Sequence, residues 1–219
     1  MIMNNKIYLT EKQLKAHEEI CDRIMDRLRN KVDLSDSKAK YMKRGFMAEA
    51  IFKTQVLGIP LEKAMVEGPD GGYDYVHDGL YGRLLLDVKS GYRSSSQTID
   101  PYHELRIGHY KNKAPDALFV FVSATDVPTV YIIEGAITHK EIMSGIMMER
   151  AYRFEKEYEK AAKLPMYVAK GQTHGKYTYD SNTIILPALC LTSKGYAQTM
   201  QTIFELENGT YRHVEFKAV

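Results

Sequence analysis

Long apolar runs are missing from this 219-residue sequence. No stretch approaches the ~20 consecutive apolar residues that a membrane-spanning helix requires. The first residues lack the charged-then-apolar pattern of a secretory signal. Cysteine is scarce too: Cys21 and Cys190 stand far apart, without the paired spacing of a metal site, and suit buried thiols in a reducing compartment. These absences predict a cytoplasmic protein with no membrane partner. Neither sign of charge is in excess. Thirty Lys and Arg against 28 Asp and Glu leave +2, so any phosphate-binding surface has to be local. Repeats and low-complexity segments are absent. The length suits a single domain able to bury a core.

What is present centres on residues 68–91. Leu84-Leu85-Leu86-Asp87-Val88-Lys89 has the apolar content of a strand, and Asp78-Gly79 is a hairpin-turn dipeptide. Alternation along a strand turns Leu84, Leu86 and Val88 one way and Leu85, Asp87 and Lys89 the other. An acid and a lysine thus share one face of an otherwise buried strand, where charges need partners or a metal. A turn centred near residues 79–81 sets Asp74 level with Asp87, whereas Asp70 falls beyond the paired region. Asp/Glu-x-Lys is a weak signal by itself, since roughly one to three matches are expected by chance in a chain this long. It also occurs at Asp36-Ser37-Lys38, in a polar helix start, and at Glu215-Phe216-Lys217. The latter is a rival, because Glu205 and Glu207 precede an Asn208-Gly209 turn and Thr210 to Phe216 alternates like a strand. That hairpin lies almost at the chain end, where fraying is common.

Two helices precede the hairpin. Residues 10–31 carry a Thr10/Gln13 capping-box pattern and an apolar stripe of Leu14, His17, Ile20, Cys21, Ile24, Met25 and Leu28. Residues 37–57 begin after Ser35 or Asp36 and stop at Gly58 and Pro60. On that second helix Glu49 interrupts a face of Met42, Phe46, Phe52 and Val56. A surface pair with Lys53 at i,i+4, worth a few tenths of a kcal/mol, is one explanation. A carboxylate aimed at a metal is the other, with Lys53 carrying its own charge to water.

After the hairpin, residues 92–113 read as a polar loop and then a helix over 101–112. Arg93, Ser94, Arg106, Tyr110, Lys111 and Lys113 suit phosphate contacts and base stacking there. Two strong strands follow at 117–123 and 129–134, a helix near 139–148, and a charged helical stretch over 149–163. The remainder reads as a glycine- and tyrosine-rich loop at 171–179, a strand over 183–191 and the final hairpin.

An acid before a hairpin turn, Asp87-Val88-Lys89 after it, and the order helix, hairpin, helix, strand, strand, helix resemble the PD-(D/E)XK nuclease superfamily over roughly residues 40–145. The Gly45-x-x-x-Glu49 context resembles the glutamate-bearing helix of many members. The resemblance implies an α/β, restriction-endonuclease-like core with a central mixed sheet flanked by helices. Residues 1–36 would form an N-terminal helix, 37–145 the core, and 146–219 a helix plus a β-rich C-terminal addition. It implies Mg²⁺, with Mn²⁺ as a substitute, held by Asp74, Asp87, the Val88 carbonyl and Glu49, and Lys89 as the catalytic lysine. The activity implied is hydrolysis of DNA, by an endonuclease of the restriction, phage or repair kind, an exonuclease or a junction resolvase, acting as a monomer or homodimer. A non-catalytic nucleic-acid-binding or assembly protein is the alternative from another class.

Overall fold

The computed structural model describes residues 1–30, 35–65, 73–94, 102–106, 113–144, 167–174, 177–179, 181–188 and 191–214. Its strands are β1 (Ile2–Met3), β2 (Lys6–Tyr8), β3 (Tyr75–Asp78), β4 (Arg83–Arg93), β5 (Tyr102–Arg106), β6 (Leu118–Thr125), β7 (Val130–Thr138), β8 (Tyr167–Val168), β9 (Thr173–His174), β10 (Tyr177–Thr178), β11 (Thr183–Pro187) and β12 (Ser193–Lys194). Its helices are α1 (Glu11–Arg29), α2 (Asp36–Gln55), α3 (Leu61–Ala64), α4 (His139–Met143) and α5 (Gly195–Glu207). The architecture is α/β, with a curled mixed sheet flanked by helices. None of the described helices is long and apolar enough to cross a membrane.

The main sheet runs β1-β2-β7-β6-β4-β3, with β12 also on β7. The β4–β6 pair is parallel and the other pairs are antiparallel. Leu84, Leu86 and Val88 of β4 alternate onto one face with Leu118, Val120 and Val122 of β6, and there they meet Met47, Ile51 and Phe52 of α2 and Ile203 and Leu206 of α5. Phe119 and Phe121 alternate to the opposite face and are fully buried as well.

Local chemistry explains both long helix starts. Thr10 and Gln13 close the capping box on α1, with Gln13 N–H donating to Thr10 Oγ1 at 3.2 Å and Thr10 N–H to Gln13 Oε1 at 2.9 Å. Ser35 accepts from Lys38 N–H at the head of α2. Between β6 and β7, Phe121 faces Gly135 while Val122 faces Ile133, so Glu134 is the extra residue of a β-bulge. The bulge turns its carboxylate onto Arg93, which donates from Nε at 3.1 Å and Nη2 at 2.9 Å.

Several expectations are corrected. The helix expected over 101–112 is instead strand β5 across residues 102–106, paired antiparallel with β11 from Tyr102–Pro187 to Arg106–Thr183. Pairing with a distant strand overrides the local helical pattern. Residues 107–112 lie outside the described ones. The final hairpin is replaced by α5, which ends at Glu207. Asn208-Gly209 is a helix stop: Gly209 takes φ +65°, and the Thr210 and Tyr211 N–H groups donate back to the Glu205 carbonyl. The strand expected over 183–191 spans Thr183–Pro187, and the loop at 171–179 contains the small β9–β10 pair. The helix near 139–148 is a single short turn, α4, over the residues described. The helical stretch at 149–163, Glu215-Phe216-Lys217, Cys190 and Asp70 all fall outside them.

Residues 208–214 are fastened in part by His213, which pairs with Asp116 at 2.7 Å, and in part by the carboxylate of Glu141. Buried Glu141 accepts from Thr138 N–H (3.0 Å), Thr192 Oγ1 (2.9 Å), Tyr211 Oη (2.8 Å) and Val214 N–H (3.1 Å). Burial pushes its carboxyl pKa up, but these four hydrogen bonds outweigh that and leave it below the usual 4.5. A depressed folded pKa means stability that is present above pH 4.5 and is lost as pH falls through the folded value. Glu141→Gln is therefore expected to unfold at lower urea than wild type at pH 7, with the gap narrowing as pH drops below 4.5. A gap of constant size across that range would show that the carboxylate charge is not what holds the segment.

Candidate active site

The β3–β4 hairpin turns over residues 79–82, where Gly79 N–H donates to the Gly82 carbonyl at 2.9 Å. The register runs Tyr75–Leu86, Val76–Leu85, His77–Leu84 and Asp78–Arg83, and Asp74 lies one residue before its end. Asp74 N–H donates to the Leu86 carbonyl at 2.9 Å, and its Oδ2 accepts the Val88 N–H at 2.6 Å. The Asp74 carboxylate thus lies against β4 just before β3 begins. In a strand the N–H and C=O of one residue share an edge, so the Val88 carbonyl looks toward the same place.

Asp87 and Lys89 share a face, as alternation requires, and form an ion pair. Asp87 is buried, and its second oxygen lies 3.5 Å from Lys113 Nζ. Lys113 is itself seated 3.9 Å from the centre of the Tyr73 ring. The Tyr73 hydroxyl accepts the Ala114 N–H at 2.8 Å, which ties this segment to the strand before the turn. Lys89 Nζ stands 5.8 Å from the centre of the Phe119 ring.

Glu49 lies on α2, which packs against β4. Its Oε1 accepts from Lys53 Nζ at 2.6 Å, and Lys53 also donates to the Ala64 carbonyl at 2.9 Å. The expectation that Lys53 reaches water is overturned: the residue is only 6 % exposed, and α3 places its last carbonyl, that of Ala64, on the ammonium. The pair with Glu49 exists, but within the fold and not on its surface.

Burial, the nearby Glu49 charge and the nearby Asp87 charge together push the Asp74 carboxyl up to about 7, against the opposing pull of Lys89 and the Val88 N–H. Asp74, Asp87 and Glu49 are thus one electrostatic group. Carboxylates and a backbone carbonyl are hard-oxygen donors of the type that Mg²⁺ takes. In the arrangement described, lysines occupy Asp87 and Glu49. Among the described residues, no three His, Cys, Asp or Glu side chains stand ready to hold one ion together.

The other expected contact residues are dispersed. Arg93 is committed to Glu134, and Ser94 Oγ donates to Asp126 at 3.1 Å. Arg106 lies on β5, while Tyr110 and Lys111 fall outside the described residues. Lys113 comes closest, at Asp87 itself. Three residues at this end of the molecule lay outside the expected set: Tyr73, Tyr41 and Arg44. The Arg44 guanidinium lies over the rings of Tyr41 and Tyr92, 5.6 and 5.4 Å from their centres. Arg44 and Tyr41 fall on α2 five and eight residues before Glu49.

The chain matches no known family model, no curated protein and no solved structure. The site has therefore to be judged on its own geometry.

A folded pKa raised from 3.8 to about 7 means a stability contribution that is complete below pH 3.8 and lost as pH rises to about 7. In chelator, Asp74→Asn keeps an oxygen for the Val88 N–H and removes this loss. The variant is expected to gain on wild type in thermal midpoint as pH rises from about 4 to about 7, with no further gain above. A difference that does not change across this window would mean that Asp74 does not feel the other two acids.

Proposed function

We propose that this protein is a metal-dependent nuclease of the PD-(D/E)XK kind that hydrolyses DNA phosphodiester bonds. The observation that carries the reading is the meeting of Asp74, Asp87 and Lys89 across one hairpin, with Asp74 bound to the Val88 N–H. Asp74, Asp87, the Val88 carbonyl and Glu49 would hold Mg²⁺, with Mn²⁺ able to substitute. Such an ion neutralises charge developing on the phosphate and lowers the pKa of a water. Lys89, fixed beside Asp87 by their ion pair, orients the attacking water and offsets negative charge on the phosphoryl oxygens. Lys113 approaches the same carboxylate and supplies a second cation where the DNA backbone would pass. Asp74 is positioned by the Val88 N–H, so that it meets the reacting group with little reorganisation.

The lysines at Asp87 and Glu49 favour a second reading, in which the cluster is a structural ion-pair network in a non-catalytic DNA-binding protein. Binding of Mg²⁺ would have to displace ammonium groups from at least one carboxylate, and that exchange separates the two readings. Plasmid, linear duplex and single-stranded DNA incubated with Mg²⁺ or with chelator decide between them. On the nuclease reading, cleavage requires the metal. Asp87→Asn and Lys89→Ala each reduce it by a factor on the order of a hundred or more while the circular dichroism spectrum stays unchanged. Full activity in either folded variant removes the site assignment, and no metal-dependent cleavage of any substrate favours the binding protein.

A further inference from the structure

Two ammonium groups hold Asp87, and they hold it unequally. Lys89, two residues on, is in direct contact with Oδ1. Lys113 Nζ lies 3.5 Å from Oδ2, outside the range of about 2.7–3.2 Å for a formed N–H···O bond. Its seat is aromatic: the ammonium lies 3.9 Å from the centre of the Tyr73 ring. The Tyr73 hydroxyl accepts the N–H of the next residue, Ala114, at 2.8 Å. Tyr73 thus fixes both the Lys113 side chain and the peptide that follows it, and it directly precedes Asp74. Both members of the looser pair are shielded from water, with the Lys113 side chain 11 % and that of Asp87 7 % exposed.

Such a pair resists being parted one member at a time, because a charge left alone in a shielded place is strongly destabilised. The Asp87 oxygens suit Mg²⁺ in kind, yet a divalent cation at Oδ2 would strip Lys113 of its counter-charge. A phosphate that drew Lys113 away would likewise strip Asp87. When both ligands arrive, each member of the pair keeps an opposite charge: the carboxylate turns to the metal and the ammonium to the phosphate. The four methylenes of Lys113 give it reach for this move while its stem stays on the Tyr73 ring.

We propose that Lys113 is an exchangeable counter-ion: it shields Asp87 in the metal-free protein and passes to a DNA backbone phosphate when a metal takes that carboxylate. The proposal rests on the nuclease reading for the identity of both ligands. It adds that metal and DNA bind cooperatively through this one side chain. Each then raises the affinity of the other by the same factor, as linkage requires. Lys89 is less suited to the part, since its place two residues away on the same strand face keeps it beside Asp87.

Calorimetric titration of the full chain with Ca²⁺, which takes the same class of oxygen donors as Mg²⁺, tests this. Wild type is expected to bind Ca²⁺ at least roughly five-fold more tightly with a duplex oligodeoxynucleotide present than without it. Fluorescence anisotropy of the labelled duplex should show the same factor with and without Ca²⁺. Lys113→Met, whose unbranched side chain can keep the seat on Tyr73, should bind Ca²⁺ alone several-fold more tightly than wild type, because a competing cation is gone. Its coupling factor should fall to less than about half of the wild-type value. Lys113→Arg, which keeps the charge, should retain most of the coupling. The gain in metal affinity separates exchange from a merely structural lysine, whose removal would weaken both ligands. Equal Ca²⁺ affinity with and without DNA in wild type, or no Ca²⁺ binding in either condition, overturns the proposal on unmodified protein, whatever the variants' folding. So does a Lys113→Met protein that binds Ca²⁺ alone no more tightly than wild type, or that keeps the full coupling. The nuclease reading is judged separately, by Mg²⁺-dependent cleavage: cleavage without coupling leaves that reading standing and removes only the exchange at Lys113.

Discussion

Strands β4 and β6 run parallel over eight paired positions, from Leu86–Leu118 to Arg93–Thr125, and this one pairing governs what surrounds it. Parallel neighbours cannot be joined by a tight turn; the chain has to cross back over the sheet. The crossover after Arg93 contributes β5 to a separate three-stranded sheet with β11 and β8. It then brings Lys113 and Ala114 back to the start of β6, against Tyr73 and Asp87. The second cation at Asp87 is thus a consequence of topology. An antiparallel partner reached by a short loop would have brought no lysine to that point.

Electrostatic balance sets the rest of the cluster. A carboxylate as buried as Asp87 needs positive charge at hydrogen-bonding range, and Lys89 and Lys113 supply it. Glu49 has Lys53. Asp74 is held by a backbone N–H and burdened by the other two acids. The unsettled charge therefore concentrates at Asp74, against Val88 of β4. A divalent cation at this spot would relieve repulsion that the lysines leave in place.

Much of this was legible in the residues. The alternation of Leu84, Leu86 and Val88 against Asp87 and Lys89 needs only the two-residue period of a strand. The turn expected near residues 79–81 falls at Gly79–Gly82, although Asp78, read as part of the turn dipeptide, is the last residue of β3 and pairs with Arg83; Thr10 with Gln13 marked the start of α1. What sequence could not supply was pairing at a distance. Residues 102–106 had a plausible helical pattern and became a strand because β11 offered an edge. Residues 195–207 carry Thr199, Thr202, Ile203 and Leu206 inward, a helical spacing masked by the Asn208-Gly209 signal that follows. Lys53 was judged by its length, whereas α3, which buries it, begins eight residues later in sequence.

The Gly79–Gly82 turn bears on how such a hairpin can vary. A β-carbon at Gly82 would come within 2.4 Å of the Leu206 carbonyl oxygen, and one at Gly79 within 3.0 Å of that of Glu207. The tip is wedged on the last turn of α5, so insertions there have nowhere to go without lifting the helix. The count of residues from the turn back to Asp74 is held fixed by this wedge.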